Sequence, residues 1–390
     1  MIKKVFPILA LCVFSSTLGI GIVSPLLPLY LREMGASGVG LGVIYAAYFI
    51  SNSVCVPIAG RLSDRKGRKL FLVVGLLAYS IISLGYVWST TVGHLALVRL
   101  VHGVAGAVTI PIAMAYLGDL SPEGEEGKWM GYANAAFFSG FGFGPFMGGI
   151  VTEHFGMTVA FLSMSGLNLL AFLIALFFLP EVSQRKTRED SRLSFKEMSA
   201  SSMIKGLFSF RLVQALGRGG IATFLPIFAA MRGLSLSLIG TLISINILAV
   251  TLFAPLAGLL ADRFNRRTLT ILGSLVFTLL LAVIPLANSF GQLLAILFIQ
   301  GLGGAISMSA AAALTVDEGR KYGMGSTMSI LFLAMSIGMA TGPIASGGVA
   351  ELLDVNSVFY FGGILGLLGT SLFFWFTRGY RGLVAELPSN

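Results

Sequence analysis

Two arginines and one histidine lie inside long apolar stretches of this chain, where a charged side chain is costly. Arg218 lies twelve residues into its apolar run, about 18 Å along a helix and therefore close to the middle of a membrane. Arg99 and His102 lie together in another run. A charge at such depth costs roughly 2.5 to 3.5 kcal/mol, so it usually faces water or a partner. We therefore expect Arg218 to face a central cavity, where it binds an anion or a carbonyl group.

Arg99 and His102 each allow two interpretations. Arg99 lies a few residues from a membrane boundary, so its guanidinium either faces the interior or reaches outward to water. His102 lies about one turn deeper and either titrates near neutral pH or packs as a hydrogen-bonded residue. Helix position places further side chains on the same substrate or proton pathway, although each could instead be packing: Tyr48, Asn52, Asn134, Phe137, Phe138, Gln214, Phe224 and Asn246.

Carboxylates are missing from the middle of the apolar runs. All 17 Asp and Glu residues lie in loops or near the ends of runs. A cavity that holds arginine and no carboxylate is positive or neutral. This charge favours neutral amphiphiles or organic anions as ligands over cations.

A charged motif occurs twice, 198 residues apart, as GRLSDRKGRK over residues 60–69 and GLLADRFNRR over residues 258–267. A carboxylate among arginines near helix ends can make charge-assisted hydrogen bonds. We predict a latch that joins two halves of the molecule when one side is closed, with a solvated basic loop as the alternative. The latch residues are Gly60, Asp64, Arg65, Gly67, Arg68, Asp119, Asp262 and Arg263.

The same offset relates much of the rest of the chain without a gap. It carries Gly35 onto Gly233, Asp119 onto Asp317 and the pair Gly144-Pro145 onto Gly342-Pro343. Such a register indicates a duplicated structural unit, as in many membrane transporters. We predict an N-terminal bundle over residues 1–180, a cytoplasmic linker over 181–205 and a C-terminal bundle over 206–390. Within the linker, Leu193, Phe195 and Met198 fit either a short amphipathic helix or a flexible tether.

The composition excludes an ordinary soluble domain. Hydrophobic residues make up 56% of the chain and charged residues 11%, where soluble domains have about a quarter charged. Twelve apolar runs are long enough for membrane-spanning helices, which predicts an all-α polytopic protein with two pseudo-symmetric six-helix bundles. The runs lie near residues 5–31, 39–60, 69–88, 93–118, 128–152, 157–179, 206–230, 236–259, 269–288, 291–316, 324–351 and 357–377.

Charge placement predicts the orientation of the spans. With both termini in the cytoplasm, all but four of the 26 Lys and Arg residues lie in or next to cytoplasmic segments, as the positive-inside rule requires. This asymmetry accounts for the net charge of +9, so a nucleic-acid partner is not needed to explain it. The first apolar run is interpreted as a span, with a secretory signal as the alternative, because it lacks a convincing cleavage site. We expect a multi-pass protein of the inner membrane that acts as a monomer.

The first charged motif resembles the loop signature of the major facilitator superfamily, and the resemblance covers the whole chain. It implies two six-helix bundles around a central cavity, with alternating access by rocking of the halves. The second copy departs from the signature, because Asn265 stands where the first copy has Gly67.

Three segments resemble signatures of the 12-helix drug/proton antiporters in that superfamily: residues 19–30, 98–103 and 140–149. The resemblance implies a role in proton transfer for Arg99. It also implies a hinge or leakage barrier in span 5, for which generic helix packing is the alternative. The hinge residues are Gly140, Gly144, Pro145, Gly148 and Gly149. The missing mid-membrane carboxylate departs from this family of exporters and puts cationic cargo and simple carboxylate coupling in doubt.

The resemblance implies a secondary exporter of small amphiphilic compounds, coupled to proton antiport and needing no cofactor or metal. The alternative is an organic-anion or lipid-related carrier whose cavity arginines hold the cargo. An enzyme is disfavoured, because the three histidines lack a recognisable nucleophile motif and the chain has no nucleotide-binding P-loop. A receptor or scaffold that keeps the transporter fold is a third class left open by the sequence.

Overall fold

Helices dominate the computed structural model, which describes residues 2–122, 125–181, 201–322 and 324–380. Twelve helices are long and apolar enough to cross a membrane, and the described ranges contain no strand. The chain is thus an all-α, multi-pass membrane protein, as predicted. The helices are α1 Ile2–Glu33, α2 Gly38–Lys66, α3 Arg68–Trp88, α4 Val92–Leu120, α5 Glu126–Phe155, α6 Met157–Phe178, α7 Ser202–Met231, α8 Leu236–Arg263, α9 Arg266–Val283, α10 Phe290–Tyr322, α11 Met324–Leu352 and α12 Val355–Phe376.

Polar side chains cap several helix beginnings, where backbone N–H groups lack helical partners. Ser37, Thr91 and Asn265 accept N–H hydrogen bonds at the starts of α2, α4 and α9. At α12, the Asp354 carboxylate accepts the N–H of Ser357 at 2.7 Å and its hydroxyl at 2.6 Å. These hydrogen bonds to Ser357 hold the pKa of the Asp354 carboxyl below its usual range.

The first charged motif is mostly helical, so the span predicted near residues 39–60 continues into the motif. Helix α2 continues to Lys66, because a helix need not end where its sequence turns polar and leaves the apolar region. Only Gly67 breaks the helix, with φ of +97°, a conformation that favours glycine. At the matching position, Asn265 has φ of −60° and caps α9 instead. The two copies therefore make the same reversal by different means.

Two compact units make up the described residues. The first holds α1 to α6 together with Leu225–Ser244, and the second holds the remaining described residues. In the first unit, α1 packs on α5 and α6, α2 on α4, and α3 on α4 and α6; in the second, α9 and α11 each pack on α10 and α12. Helix α7 begins at Ser202, inside the predicted linker. The amphipathic helix predicted around Leu193 lies outside the described residues.

Three glycines of α5 bring its backbone against α1. A Cβ atom at Gly144 would lie 2.7 Å from the Leu18 carbonyl oxygen, and one at Gly148 would lie 2.6 Å from that of Ile22. A Cβ atom at Gly140 would crowd the backbone of α1 one turn earlier. These distances are shorter than real Cβ contacts, so side chains at these positions would separate the two helices. These three glycines therefore form a groove on α5 that is occupied by α1.

We predict that Gly144→Ala lowers the apparent melting temperature or the folded yield of the purified protein, because the new methyl group must push α1 and α5 apart. Gly131→Ala is the matched control on the same helix, since a Cβ atom there meets no described atom within 4 Å. The control should be neutral or stabilising by up to about 1 kcal/mol, because alanine favours the helix. Equal melting temperatures for the two variants would contradict the close-contact argument.

Candidate functional site

Arg99 lies in the interior of the first unit, where two tyrosines of α2 hold it. The residue is 4% exposed, and its guanidinium carbon lies 5.2 Å from the Tyr45 ring centroid and 4.8 Å from the Tyr48 centroid. An arginine over aromatic faces gains a cation–π attraction that increases when the pair is shielded from water. Of the two interpretations of Arg99, the structure therefore favours the inward one.

His102 lies one turn along α4 from Arg99 and is completely buried. Its Nδ1 is 2.8 Å from the Tyr86 hydroxyl, and its ring centroid is 4.3 Å from that of Tyr79. Neither His102 Nε2 nor Arg99 Nε has a hydrogen-bond partner among the described residues. Buried polar atoms usually have a partner, so these two atoms leave capacity for a proton, a water molecule or a ligand group. We call Arg99, His102 and these four tyrosines the arginine–tyrosine cluster.

Two glycines of α4 let α2 approach closely enough to complete this cluster. A Cβ atom at Gly106 would lie 2.6 Å from the Tyr48 hydroxyl oxygen, and one at Gly103 would overlap the α2 backbone. The Asn52 side-chain amide donates to the Gly103 carbonyl oxygen at 3.1 Å. Asn52, predicted on the pathway, thus fastens α2 to α4 beside the cluster.

The second unit carries polar residues at equivalent repeat positions but lacks the titratable groups. The 198-residue offset maps Tyr48 onto Asn246 and His102 onto Gln300. The Asn246 amide donates to the Gln300 side-chain oxygen at 3.2 Å and to the Leu297 carbonyl at 2.8 Å. Gln300 in turn donates to the Phe277 carbonyl at 3.2 Å. These neutral amides satisfy one another and the backbone, and an amide side chain carries no titratable proton.

Arg218 lies near the middle of α7 without a carboxylate partner among the described residues. Its Nη2 atom is 2.8 Å from the Met308 sulfur, and its guanidinium carbon lies 5.6 Å from the Phe277 ring centroid. Its Nε atom is buried and has no hydrogen-bond partner in the described part of the chain. A thioether sulfur is only a weak acceptor. The hydrogen-bonding capacity of this guanidinium is therefore largely unused.

Gln214 and Arg211 precede Arg218 on the same face of α7. Gln214 is 8% exposed and donates to the Ser307 hydroxyl at 3.2 Å, next to Met308 on α10. Arg211 also has a buried Nε without a partner among the described residues. This face of α7 therefore carries two arginines and one amide, and hydrogen bonds join Gln214 and Arg218 to α10. We call these three residues with Ser307 and Met308 the α7 polar stripe.

Three predicted pathway residues belong to neither cluster. Phe224 is 1% exposed within the core, Phe138 packs edge-on against Phe137, and the Asn134 side chain is exposed. The described contacts join none of them to Arg99 or Arg218. Their place on the substrate or proton pathway therefore stays a prediction from helix position, which does not fix the direction of a side chain.

The first charged motif forms an ion-pair triad inside the first unit. The Arg68 guanidinium pairs with Asp64 at 2.8 Å and also with Asp119 at the end of α4. The side chains of Arg68 and Asp119 are 15% and 19% exposed, so water screens this pair only in part. The triad fastens the start of α3 to the end of α4. Of the remaining latch residues, Arg65 is exposed and Gly60 has open space around it.

The second copy repeats this triad residue for residue. Arg266 pairs with Asp317 at 2.7 Å and with Asp262 at 3.6 Å, and Arg263 is exposed. Sequence reasoning included Asp262 and Arg263 but missed Arg266 and Asp317 as site residues. The signal was present, because the repeat offset carries Arg68 onto Arg266 and Asp119 onto Asp317. The tyrosines at positions 45, 79 and 86 were missed because aromatic residues in apolar runs look like packing.

Comparison with known proteins agrees with this duplicated architecture. A family model described as the Major Facilitator Superfamily matches residues 9–213 and 207–389, nearly the whole chain. The chain belongs to the major facilitator superfamily. Because members of this superfamily are transporters, the chain is a membrane transporter and not an enzyme.

Relatives of this major facilitator include a protein named for multidrug resistance. Multidrug resistance protein 2 of Bacillus subtilis is 30% identical over 384 residues, covering 95% of this chain and 94% of that protein. An uncharacterised MFS-type transporter of Methanocaldococcus jannaschii is 26% identical over 372 residues, covering 94% and 96%. The structure of a bacterial homologue of the human lysosomal transporter Spinster, inward-facing and occupied, has a TM-score of 0.84 at 15% identity and 97% coverage of both chains.

The Gly-Pro segment of this major facilitator contacts the beginning of α8 as well as α1. Pro145 lacks an N–H group and therefore interrupts the backbone hydrogen bonds of α5. The N–H group of the next residue, Phe146, donates to the Ser244 hydroxyl at 2.9 Å. A Cβ atom at Gly240 would overlap the Pro145 carbonyl, and one at Gly149 would overlap that of Leu236. Of the predicted hinge residues, Gly140, Gly144 and Gly148 face α1, and Gly149 lies against α8. Pro145 contacts both helices, with its ring near Gly21 of α1 and its carbonyl against Gly240 of α8.

We predict that Asp119→Asn lowers the apparent melting temperature of the purified transporter by a few degrees, because it weakens a partly buried charge-assisted pair worth about 1–2 kcal/mol. Asp64→Asn should have a smaller effect, since Asp64 is 48% exposed and better screened. By the repeat, Asp317→Asn should resemble Asp119→Asn. A larger loss for Asp64→Asn than for Asp119→Asn would contradict the assigned order.

Proposed function

We propose that this transporter is a secondary active exporter of small amphiphilic compounds that works by alternating access. Its similarity along nearly the whole chain to Multidrug resistance protein 2 supports export of such compounds. The glycine-lined contact between α1 and α5, interrupted at Pro145, supports a hinge that adjusts during the cycle. The predicted halves, residues 1–180 and 206–390, are the bodies that rock. Each charged triad stabilises the cytoplasmic end of its own half. A latch between the halves, made by the same motif residues when that side closes, remains part of the proposal. The proposed orientation has both termini in the cytoplasm and the chain in the inner membrane.

The proposed class of cargo is supported by one observation, the unused hydrogen-bonding capacity of the Arg218 guanidinium. Met308 and Phe277 are its described partners, and neither neutralises its charge. A cargo that brings a negative charge or a carbonyl oxygen would complete these hydrogen bonds, whereas a cation would be repelled. The α7 polar stripe therefore supports neutral or anionic amphiphiles. An organic-anion carrier is the second candidate, favoured by the presence of Arg211 on the same face.

We propose proton antiport through the arginine–tyrosine cluster. His102 is a titratable side chain in the interior of the first unit, and its Nε2 is unpaired among the described residues. Arg99, one turn away, would repel a proton on His102 in the arrangement described here. Loading of a proton therefore requires Arg99 to move relative to His102 or to bind an anion. This requirement would couple proton uptake to a conformational or binding event.

Flux through proteoliposomes tests the cargo class. With anionic, neutral and cationic dyes of similar size, we expect Arg218→Ala to reduce transport of the anionic dye by about tenfold, the worth of one charge-assisted hydrogen bond. Arg218→Lys should retain part of it, because the charge remains. Arg32→Ala, which removes an exposed arginine at the end of α1, is the matched control and should transport normally.

Two outcomes of the same assay would contradict the proposal, one for the cargo site and one for proton coupling. If Arg218→Ala transports anionic and neutral dyes normally, Arg218 does not hold the cargo. If an imposed pH gradient leaves the flux of the unmodified protein unchanged, transport is not coupled to protons.

A further inference from the structure

A cavity of about 630 Å³ lies at one end of the second unit, away from the α7 polar stripe. The start of α7, the end of α10 and the residues around the end of α12 form its walls. It contains no part of the proposed transport pathway, because Arg218 lies near the middle of α7. A ligand in this cavity therefore occupies a site separate from Arg218.

Positive charge dominates the cavity. Its charged lining residues are Lys205, Lys321, Arg378 and Glu318. Glu318 is 4% exposed, accepts the Ser201 hydroxyl at 2.9 Å and pairs with the Lys321 ammonium at 2.6 Å. Lys205 and Arg378 are exposed and make no ion pair with a described residue. Among the described lining residues there are thus three cations and one carboxylate, so this lining carries a net positive charge.

Aromatic side chains place the cavity at the level of lipid headgroups. The Arg378 guanidinium carbon lies 5.8 Å from the ring of Trp375, a residue 55% exposed at the end of spanning helix α12. Arg267 lies 4.7 Å from the neighbouring Phe374 ring and donates to the Phe374 carbonyl at 3.1 Å. Tryptophan beside cationic side chains at a helix end is typical of the interface between membrane and water.

The donors around the cavity suit phosphate. Arginine and lysine bind phosphate oxygens through charge-assisted hydrogen bonds. The hydroxyl-bearing residues Ser202, Tyr322 and Tyr380 also line the walls. Basic pockets between spanning helices near the cytoplasmic face bind anionic lipid headgroups. On the proposed orientation, the cavity lies at that face.

We propose that this cavity binds a phosphate group, carried by an anionic phospholipid or free in solution, through Lys205, Lys321 and Arg378. A bound phosphate would reduce the net positive charge of the described lining. It would also connect α7, α10 and α12 at one end of the second unit. The site would make the stability of the transporter depend on the composition of the surrounding lipid.

Titration of the purified full-length protein in detergent tests this site, with phosphatidylglycerol, phosphatidylcholine and inorganic phosphate as separate ligands. Tryptophan fluorescence reports binding near Trp375, and the apparent melting temperature reports stabilisation. We expect saturable binding of phosphatidylglycerol or of phosphate, and none of phosphatidylcholine. The K205Q/R378Q variant should bind about tenfold more weakly, and Arg378→Lys should bind nearly as well as the unmodified protein, because it keeps the charge.

K3Q/K4Q is the matched control, because it removes two positive charges from exposed residues at the start of α1. Saturation by phosphatidylglycerol alone assigns the site to a lipid, and equal competition by inorganic phosphate assigns it to the free anion. Each single variant, Lys205→Gln and Arg378→Gln, replaces the double variant if that does not fold. An equal loss in K3Q/K4Q and K205Q/R378Q, or no saturation by either phosphate-bearing ligand, would overturn the proposal.

Discussion

A polar group inside a membrane must find its partners within the protein, because the lipid offers none. In the first unit, two tyrosine faces hold the Arg99 guanidinium, and the Tyr86 hydroxyl lies beside His102. The approach of α2 to α4 that permits this arrangement depends on Gly103 and Gly106. The arginine–tyrosine cluster thus requires small residues at Gly103 and Gly106, and these glycines set the spacing between α2 and α4.

The same constraint is met less completely in the second unit. The amides of Asn246 and Gln300 satisfy one another and the backbone. The Arg218 guanidinium, in contrast, contacts the Met308 sulfur and the Phe277 ring, and its Nε atom is unpaired in the described part of the chain. A buried guanidinium with spare donors is a functional feature of an intramembrane site more often than a stabilising one. The two units therefore share the same repeat of helices but differ in the chemistry of their buried polar residues.

Duplication explains what the units share. The Asp-Arg-Asp triad recurs with each member displaced by 198 residues, and so do the left-handed glycines Gly35 and Gly233. The positions that differ are informative as well. Gly67 and Asn265 make the same reversal, one by a left-handed backbone and the other by capping the next helix. The reversal of the backbone can thus be made in more than one way, whereas the Asp-Arg-Asp ion pairs are present in both copies.

The sequence by itself determined the membrane class, the twelve helices and the duplication, because apolar length and a constant register are properties of the chain alone. It also identified Arg99, His102 and Arg218, since a charged or titratable residue within an apolar run can be recognised from the sequence alone. Only the tertiary structure decided that Arg99 points inward onto Tyr45 and Tyr48, and that Arg68 takes Asp119 as its partner. Helix position fixes depth in the membrane, but the direction of a side chain depends on helix rotation and packing. Those are set by contacts between residues far apart in the sequence.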